Sequence, residues 1–396
     1  MKLKVQERKI MKKTFCVGLM LISAALLAGC PAKNNPSTPD NGGGGNSGST
    51  PTSTPSPTIT PTIVSTSTKT PTSTSTSTPT GTPTATPTST PIFAVSLTWG
   101  SHGSAPGQFI QPQYLTLDQA SGVTLWVADF GNNRLQAFDV SGNVVDGVGN
   151  TATAGSGNGQ FNGPTAAVIK KSSFNSLFVV DSSNNRIEDF CNFCSSSGGT
   201  ATWAYSGQFG ASQGFNLASG IVFDGSTYLY VADTQNSRIL IYDYMGNYYT
   251  QWTGSGGQAG SQLSNPYDVA IDPTNGNLVV VDGFYNRVEV FSNYATNSSG
   301  NFIRKWGKNV GDGTSGSGNG EFNGPSGLDV DSSGNVFVAD TNNNRIQKFS
   351  QSGSFISAFG SSSQFHQPID VAVYNSTGQV FVSDYGNNRI VKLTPQ

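Results

Sequence analysis

The stretch Gly320-Glu321-Phe322-Asn323-Gly324-Pro325-Ser326-Gly327-Leu328-Asp329-Val330-Asp331-Ser332-Ser333-Gly334-Asn335-Val336-Phe337-Val338-Ala339-Asp340-Thr341-Asn342-Asn343-Asn344-Arg345-Ile346-Gln347-Lys348-Phe349 carries the plan of the molecule. The run Val336-Phe337-Val338-Ala339 is apolar on successive residues, which suits a strand buried on both faces. It ends in Asp340, and Arg345 opens the next strand after a tight, Asn-rich turn. Upstream, Leu328-Asp329-Val330-Asp331 reads as a strand that follows a Gly- and Pro-containing connector. Downstream, Phe355-Ile356-Ser357-Ala358-Phe359-Gly360 reads as a strand ending in aromatic-Gly. The unit therefore has four short strands.

The unit recurs. Apolar runs end in Asp129, Asp181, Asp233, Asp282, Asp340 and Asp384, and five residues after each stands Arg134, Arg186, Arg238, Arg287, Arg345 or Arg389. The aspartates are 52, 52, 49, 58 and 44 residues apart. Self-similarity at this period means a propeller or a solenoid. The chain ends settle which. The last unit lacks a fourth strand, while Phe93-Ala94-Val95-Ser96-Leu97-Thr98-Trp99-Gly100 is an orphan that matches the fourth-strand phrase. Donating it to the last sheet closes a ring and removes the open edges that invite aggregation. The expected fold is all-β: a six-bladed β-propeller of four-stranded antiparallel blades over residues 92–396, sealed by an N-terminal strand.

The phrase from Gly320 to Phe349 resembles an NHL repeat, and the resemblance extends over all six units. It implies a six-bladed propeller. It leaves function open, because NHL propellers include RNA binders, protein-interaction modules, sensor ectodomains and a metal-dependent amidating lyase.

The first 91 residues read differently. Twelve of the 20 prolines fall between Pro31 and Pro91, and 40 of the 41 aromatics fall after Ile92, so only the later part can bury a core. Lys12-Lys13, the apolar run Phe15 to Ala28 and Leu27-Ala28-Gly29-Cys30 form a secretory signal over residues 1–29. That last tetrapeptide resembles the bacterial lipobox, which implies acylation of Cys30 as the mature N-terminus and stable anchoring through two acyl chains. Met11-Lys12-Lys13 alone makes a normal beginning, so the start is either Met1 or Met11. Residues 30–91, rich in Pro, Thr and Ser, read as a disordered tether able to hold the next domain on the order of 45 Å from the membrane as a flexible coil. Pro31 leaves no aspartate after the cysteine to mark inner-membrane retention. The expected address is the bacterial cell envelope outside the cytoplasm, periplasmic or on the cell surface.

Charge narrows the partners. Removing eight basic groups and two acids before residue 92 leaves 21 − 8 = 13 basic against 23 − 2 = 21 acidic residues, a balance of −8. This opposes binding to a phosphate backbone, so no nucleic-acid partner is expected. The connector from Gly155 to Pro164 leads into a strand without a lysine, where a phosphate-cradling loop would lead into a helix.

Candidate chemistry is sparse. Six repeated Asp/Arg pairs cannot mark one site and read as structural. The first strands meet the channel mouth at Tyr114, Ala166, Gly220, Asp268, Gly327 and Asp370. Asp268 and Asp370 suit a calcium ion through oxygen ligands; the preferred alternative is a pair of solvated acids capping strand amides, with no cofactor. His102 and His366 lie in the connectors of blades that closure makes neighbours, and a two-histidine metal site is weighed against two surface histidines. The amidating-lyase resemblance implies a larger histidine cluster than this chain owns. Cys191 and Cys194 are spaced for a local disulfide clip in the hairpin after the third strand of blade 2. Turns and connectors share one face, and Phe130, Tyr285 and Tyr385 are its aromatic anchor candidates; Tyr285 stands where the other turns carry Asn. The reading is a monomeric, non-enzymatic binding or scaffold module for a protein, peptide or glycan, with the membrane engaged through the lipid. The alternative is a metal-dependent lyase or lactonase at the channel mouth.

Overall fold

A computed structural model describes residues 93–119, 122–149, 153–172, 175–192, 203–253, 262–292 and 300–396. The signal over 1–29, Cys30 and the tether to residue 91 lie outside the described residues. The described residues form six four-stranded antiparallel sheets arranged as blades. After β1 (Phe93–Trp99), blade 1 holds β2 (Pro112–Asp118), β3 (Thr124–Asp129), β4 (Arg134–Asp139) and β5 (Val144–Val148). Blade 2 holds β6 (Pro164–Lys170), β7 (Ser176–Asp181), β8 (Arg186–Asn192) and β9 (Trp203–Phe209). Blade 3 holds β10 (Ile221–Phe223), β11 (Tyr228–Asp233), β12 (Arg238–Asp243) and β13 (Tyr248–Thr253). Blade 4 holds β14 (Pro266–Ile271), β15 (Leu278–Asp282), β16 (Arg287–Phe291) and β17 (Phe302–Gly307). Blade 5 holds β18 (Leu328–Val330), β19 (Val336–Asp340), β20 (Arg345–Phe349) and β21 (Phe355–Phe359). Blade 6 holds β22 (Pro368–Tyr374), β23 (Gln379–Asp384) and β24 (Arg389–Pro395).

The orphan strand closes the ring. Its sheet runs β1-β24-β23-β22, with Trp99 opposite Ile390 and Ala94 opposite Thr394. Trp99 lies 6.0 Å from Phe138 of blade 1 and 6.1 Å from Phe381 of blade 6, and so ties the seam on both sides. A hydrophilic tie crosses the same seam, where the Gln111 N–H donates to Asn388 Oδ1 at 2.8 Å.

The unbroken apolar runs follow from the layering. In β19, Val336 and Val338 pack into the core between blades 4 and 5, while Phe337 and Ala339 pack into the core between blades 5 and 6. Both faces of the strand are interior, so alternation with polar residues is lost. Burying each such side chain stabilises the fold by about 1.5–3 kcal/mol relative to exposure. Aromatics near the ends of outer strands also have a seat. Trp99 covers Gly142 and Trp306 covers Gly353, both glycines at positive φ in the next blade's turn, and an added Cβ would stand 2.9 Å and 2.7 Å from the respective rings.

Candidate functional site

Each Asp that ends a second strand is fully buried and joins three segments. Asp340 accepts the Asn323 N–H at 2.8 Å from the connector, the Asn343 amide at 2.9 Å from the turn and Arg345 Nε at 2.7 Å from the third strand. Asp129, Asp181, Asp233 and Asp384 accept the same three kinds of donor. The turns close through a left-handed residue, Asn in most blades, at φ near 53 in Asn133 and Asn388. The Asp/Arg pairs are therefore internal staples.

Blade 4 departs from this pattern. Tyr285 replaces the amide donor, and Arg287 approaches Asp282 only to 3.7 Å. The guanidinium instead stacks on the Tyr285 ring at 4.6 Å and leaves its Nε buried without a hydrogen-bond partner.

The third position of the third strand carries a second variation. Gln136 and Gln347 donate to the buried Asp at 3.1 and 3.0 Å and to connector carbonyls at 2.8 and 2.7 Å. Blades 2 and 4 place Glu188 and Glu289 there, both fully buried. Arg186 then lies 2.8 Å from both Asp181 and Glu188, and Arg287 lies 2.6 Å from Glu289. One guanidinium cannot neutralise two buried carboxylates. Burial first, and the neighbouring Asp after it, push Glu188 up to about 7 and Glu289 up to about 8 against the opposing pull of the arginines. An acid whose folded value is raised holds its proton better folded than unfolded. Its penalty is absent below the ordinary value of 4.5, grows as pH rises toward 7–8 and is constant above. E188Q and E289Q are thus expected to raise stability in urea at pH 8 by about 1–2 kcal/mol each, and to leave it unchanged at pH 4. Equal midpoints at pH 8 would show that each arginine already balances both acids.

At the axis, Tyr114 reaches across the ring. Its ring packs with Ala166 and Ile369, and its hydroxyl donates to Tyr267 O at 3.1 Å and lies 3.4 Å from Ser326 O. Asp268 and Asp370 are buried rather than solvated. Each caps an amide of the next blade: Leu328 N–H donates to Asp268 Oδ2 at 2.9 Å, and Leu115 N–H donates to Asp370 Oδ2 at 2.7 Å. Glycine next door makes room, since a Cβ on Gly220 or Gly327 would stand 2.3 or 2.1 Å from the respective Asp Oδ1. Burial raises both acids above the usual carboxylate range, and Asp268 raises Asp370 further. Asp370 Oδ1 is buried without a hydrogen-bond partner.

The remaining candidates are scattered. His102 is exposed and bridges Phe109, while His366 is exposed and its N–H caps Asp384 at 2.7 Å. Among the described residues no three His, Cys, Asp or Glu side chains gather as a metal-binding group. Cys191 lies within β8, not after it, and is disulfide-bonded; Cys194 lies outside the described residues. Phe130, Tyr285 and Tyr385 are each half-buried. Phe130 lies over Gly163, where a Cβ would stand 2.7 Å from its ring, and Tyr385 packs against the core that holds Tyr114. Among the described residues of this face, the exposed ring is Phe284. Its signal was present in the repeat, because the aligned residues are Gly131, Ser183, Gln235, Asn342 and Gly386.

Comparisons agree with this architecture. The NHL repeat family matches residues 322–349 and 365–393. Over 158 residues, 39% of this chain, the sequence is 30% identical to "Protein brain tumor" of Drosophila melanogaster, and the match spans 14% of that protein's length. A solved protein of unknown function from Bacteroides thetaiotaomicron VPI-5482 superposes with a TM-score of 0.56 at 15% identity, covering 77% of this chain and 76% of that one. A catalytically inactive virginiamycin B lyase from Staphylococcus aureus, solved with quinupristin, gives a TM-score of 0.48 at 14% identity over 76% of this chain and 86% of that one. The chain carries NHL repeats folded as a six-bladed propeller.

Proposed function

We propose that this NHL-repeat propeller is a non-enzymatic binding or scaffold module, monomeric and lipid-tethered outside the cytoplasm. Its partner, a protein, peptide or glycan, docks on the face that carries the turns and connectors. The supporting observation is how the axis is filled. Tyr114 crosses it with its hydroxyl bound to a carbonyl on the far side, and Asp268 and Asp370 each hold an amide of a neighbouring blade. A lyase or lactonase at the channel mouth would need these acids ionised and turned toward a metal ion, against both their burial and their inter-blade bonds.

The test is calcium and transition-metal analysis of the purified intact chain beside D268A/D370A. The expected result is a substoichiometric ion in both proteins, with lower thermal stability in the variant. One ion per chain that is lost in the variant would favour the enzyme instead. Mass spectrometry of the same preparation reads the tether: the N-terminal peptide should begin at an acylated Cys30, and an unmodified Cys30 would remove the membrane anchor from the proposal.

A further inference from the structure

Five blades act as internal controls for the fourth. Where they place Gly131, Ser183, Gln235, Asn342 and Gly386, blade 4 places Phe284, 63% exposed. Where they place an Asn that donates to the buried Asp, blade 4 places Tyr285, whose ring meets Phe284 edge to face at 5.4 Å. Tyr285 is braced from two sides. Arg287 stacks on it, and Gly313 lies so close that a Cβ there would stand 2.9 Å from the ring. Arg287 Nη1 also donates to Gly311 O at 3.4 Å, beside the turn Lys308–Val310 that follows β17. In that turn Asn309 and Val310 both have positive φ, at 48 and 62, and Val310 is 77% exposed.

A β-branched residue in the left-handed region is strained, and solvent gives its side chain nothing to pack on. Blade 4 has thus given up the Asn–Asp bond and the close Arg–Asp bond, and holds a strained valine. The outcome is two exposed apolar side chains on the face of turns and connectors. Sequences break their own local rules in this way where function requires it.

Charge identifies the kind of partner. Six of the 13 basic groups after residue 92 are the paired arginines, which leaves 13 − 6 = 7. Three of these seven, Arg304, Lys305 and Lys308, lie in β17 and the turn after it; Arg304 and Lys305 are half-buried, Lys305 stands opposite Glu289 in the sheet, and the acid between Phe302 and Gly320 is Asp312. The segment is at 3 − 1 = +2 within a domain at −8. We propose that this rim of blade 4 docks an acidic peptide segment of a partner protein, with an aromatic or aliphatic side chain of that segment packed against Phe284 and Val310. The assignment rests on the binding-module reading above and gives that module its partner chemistry. Apolar anchors supply the contact area, and the cations orient the acids around them.

The test uses displayed random dodecapeptides selected on the purified chain, then measured on wild type and on F284S/V310G. Ser is the residue of blade 2 at this turn position, and Gly relieves the positive φ, so the variant is expected to keep its fold and its melting temperature. Selected peptides should carry Asp or Glu around an aromatic or aliphatic residue, bind the variant about tenfold more weakly and weaken at high salt. Peptides that bind wild type and variant equally would overturn the docking site and leave the binding-module reading intact. Selected peptides without an acidic excess would overturn the partner chemistry. No selected peptide at all would count against both.

Discussion

Asp340→Ala is expected to cost the domain about 3–5 kcal/mol, the penalty for breaking a buried ion pair from one side. The change leaves the Asn323 N–H, the Asn343 amide, Arg345 Nε and the Gln347 amide without their shared acceptor. Asp282→Ala is expected to cost less, about 1–2 kcal/mol. Its partners are the Ser264 N–H at 2.9 Å, the Asn265 and Tyr285 N–H groups at 3.3 Å and Arg287 at 3.7 Å. Urea unfolding followed by circular dichroism compares the two under one condition. Equal losses would mean that blade 4 has not given up its staple, and the reason for treating that blade as specialised would fall with it.

The blade count and the closure were legible in the sequence because they rest on local regularities repeated six times. The Asp/Arg interval marks each tight turn, and unbroken apolar runs mark strands with two interior faces. The orphan strand could be placed because Phe93 to Gly100 has the same aromatic-Gly ending as Phe355 to Gly360.

The site was less legible, and for physical reasons. Tyr114 is one tyrosine among 13, and its role depends on carbonyls of Tyr267 and Ser326 that are distant in sequence. The expectation of solvated acids at Asp268 and Asp370 fails because a strand that begins at a channel mouth gives no sign that Tyr114 crosses the channel. Tyr285 interrupts a conspicuous Asn, yet its ring is braced by Arg287, and the exposed ring is its neighbour Phe284. Exposure depends on what the next loop covers, and repeat spacing does not encode that. The Gln-to-Glu exchange at Glu188 and Glu289 was within reach of the sequence, since it appears as soon as third positions are aligned across blades. Its consequence needed the structure, which shows one arginine serving two buried acids.

The account depends most on the ring being sealed by a strand from outside the last repeat. Removal of residues 93–99 would open the edge of β24 and take Trp99 and Phe93 from their contacts with Phe138, Phe381 and Phe337. Phe93 and Trp99 are half-buried, so together they contribute about 2–3 kcal/mol, half of what full burial would give and still a large fraction of a domain's net stability. Residues 31–91, read from their Pro, Thr and Ser content as a tether, are by contrast expected to add nothing to the stability of the ring. The deciding measurement is the urea midpoint of the chain beginning at residue 31, with and without each of these deletions. The account predicts an unchanged midpoint when 31–91 are absent and a chain that is unfolded, or several kcal/mol less stable, when 93–99 are absent; full stability without 93–99 would contradict closure by that strand.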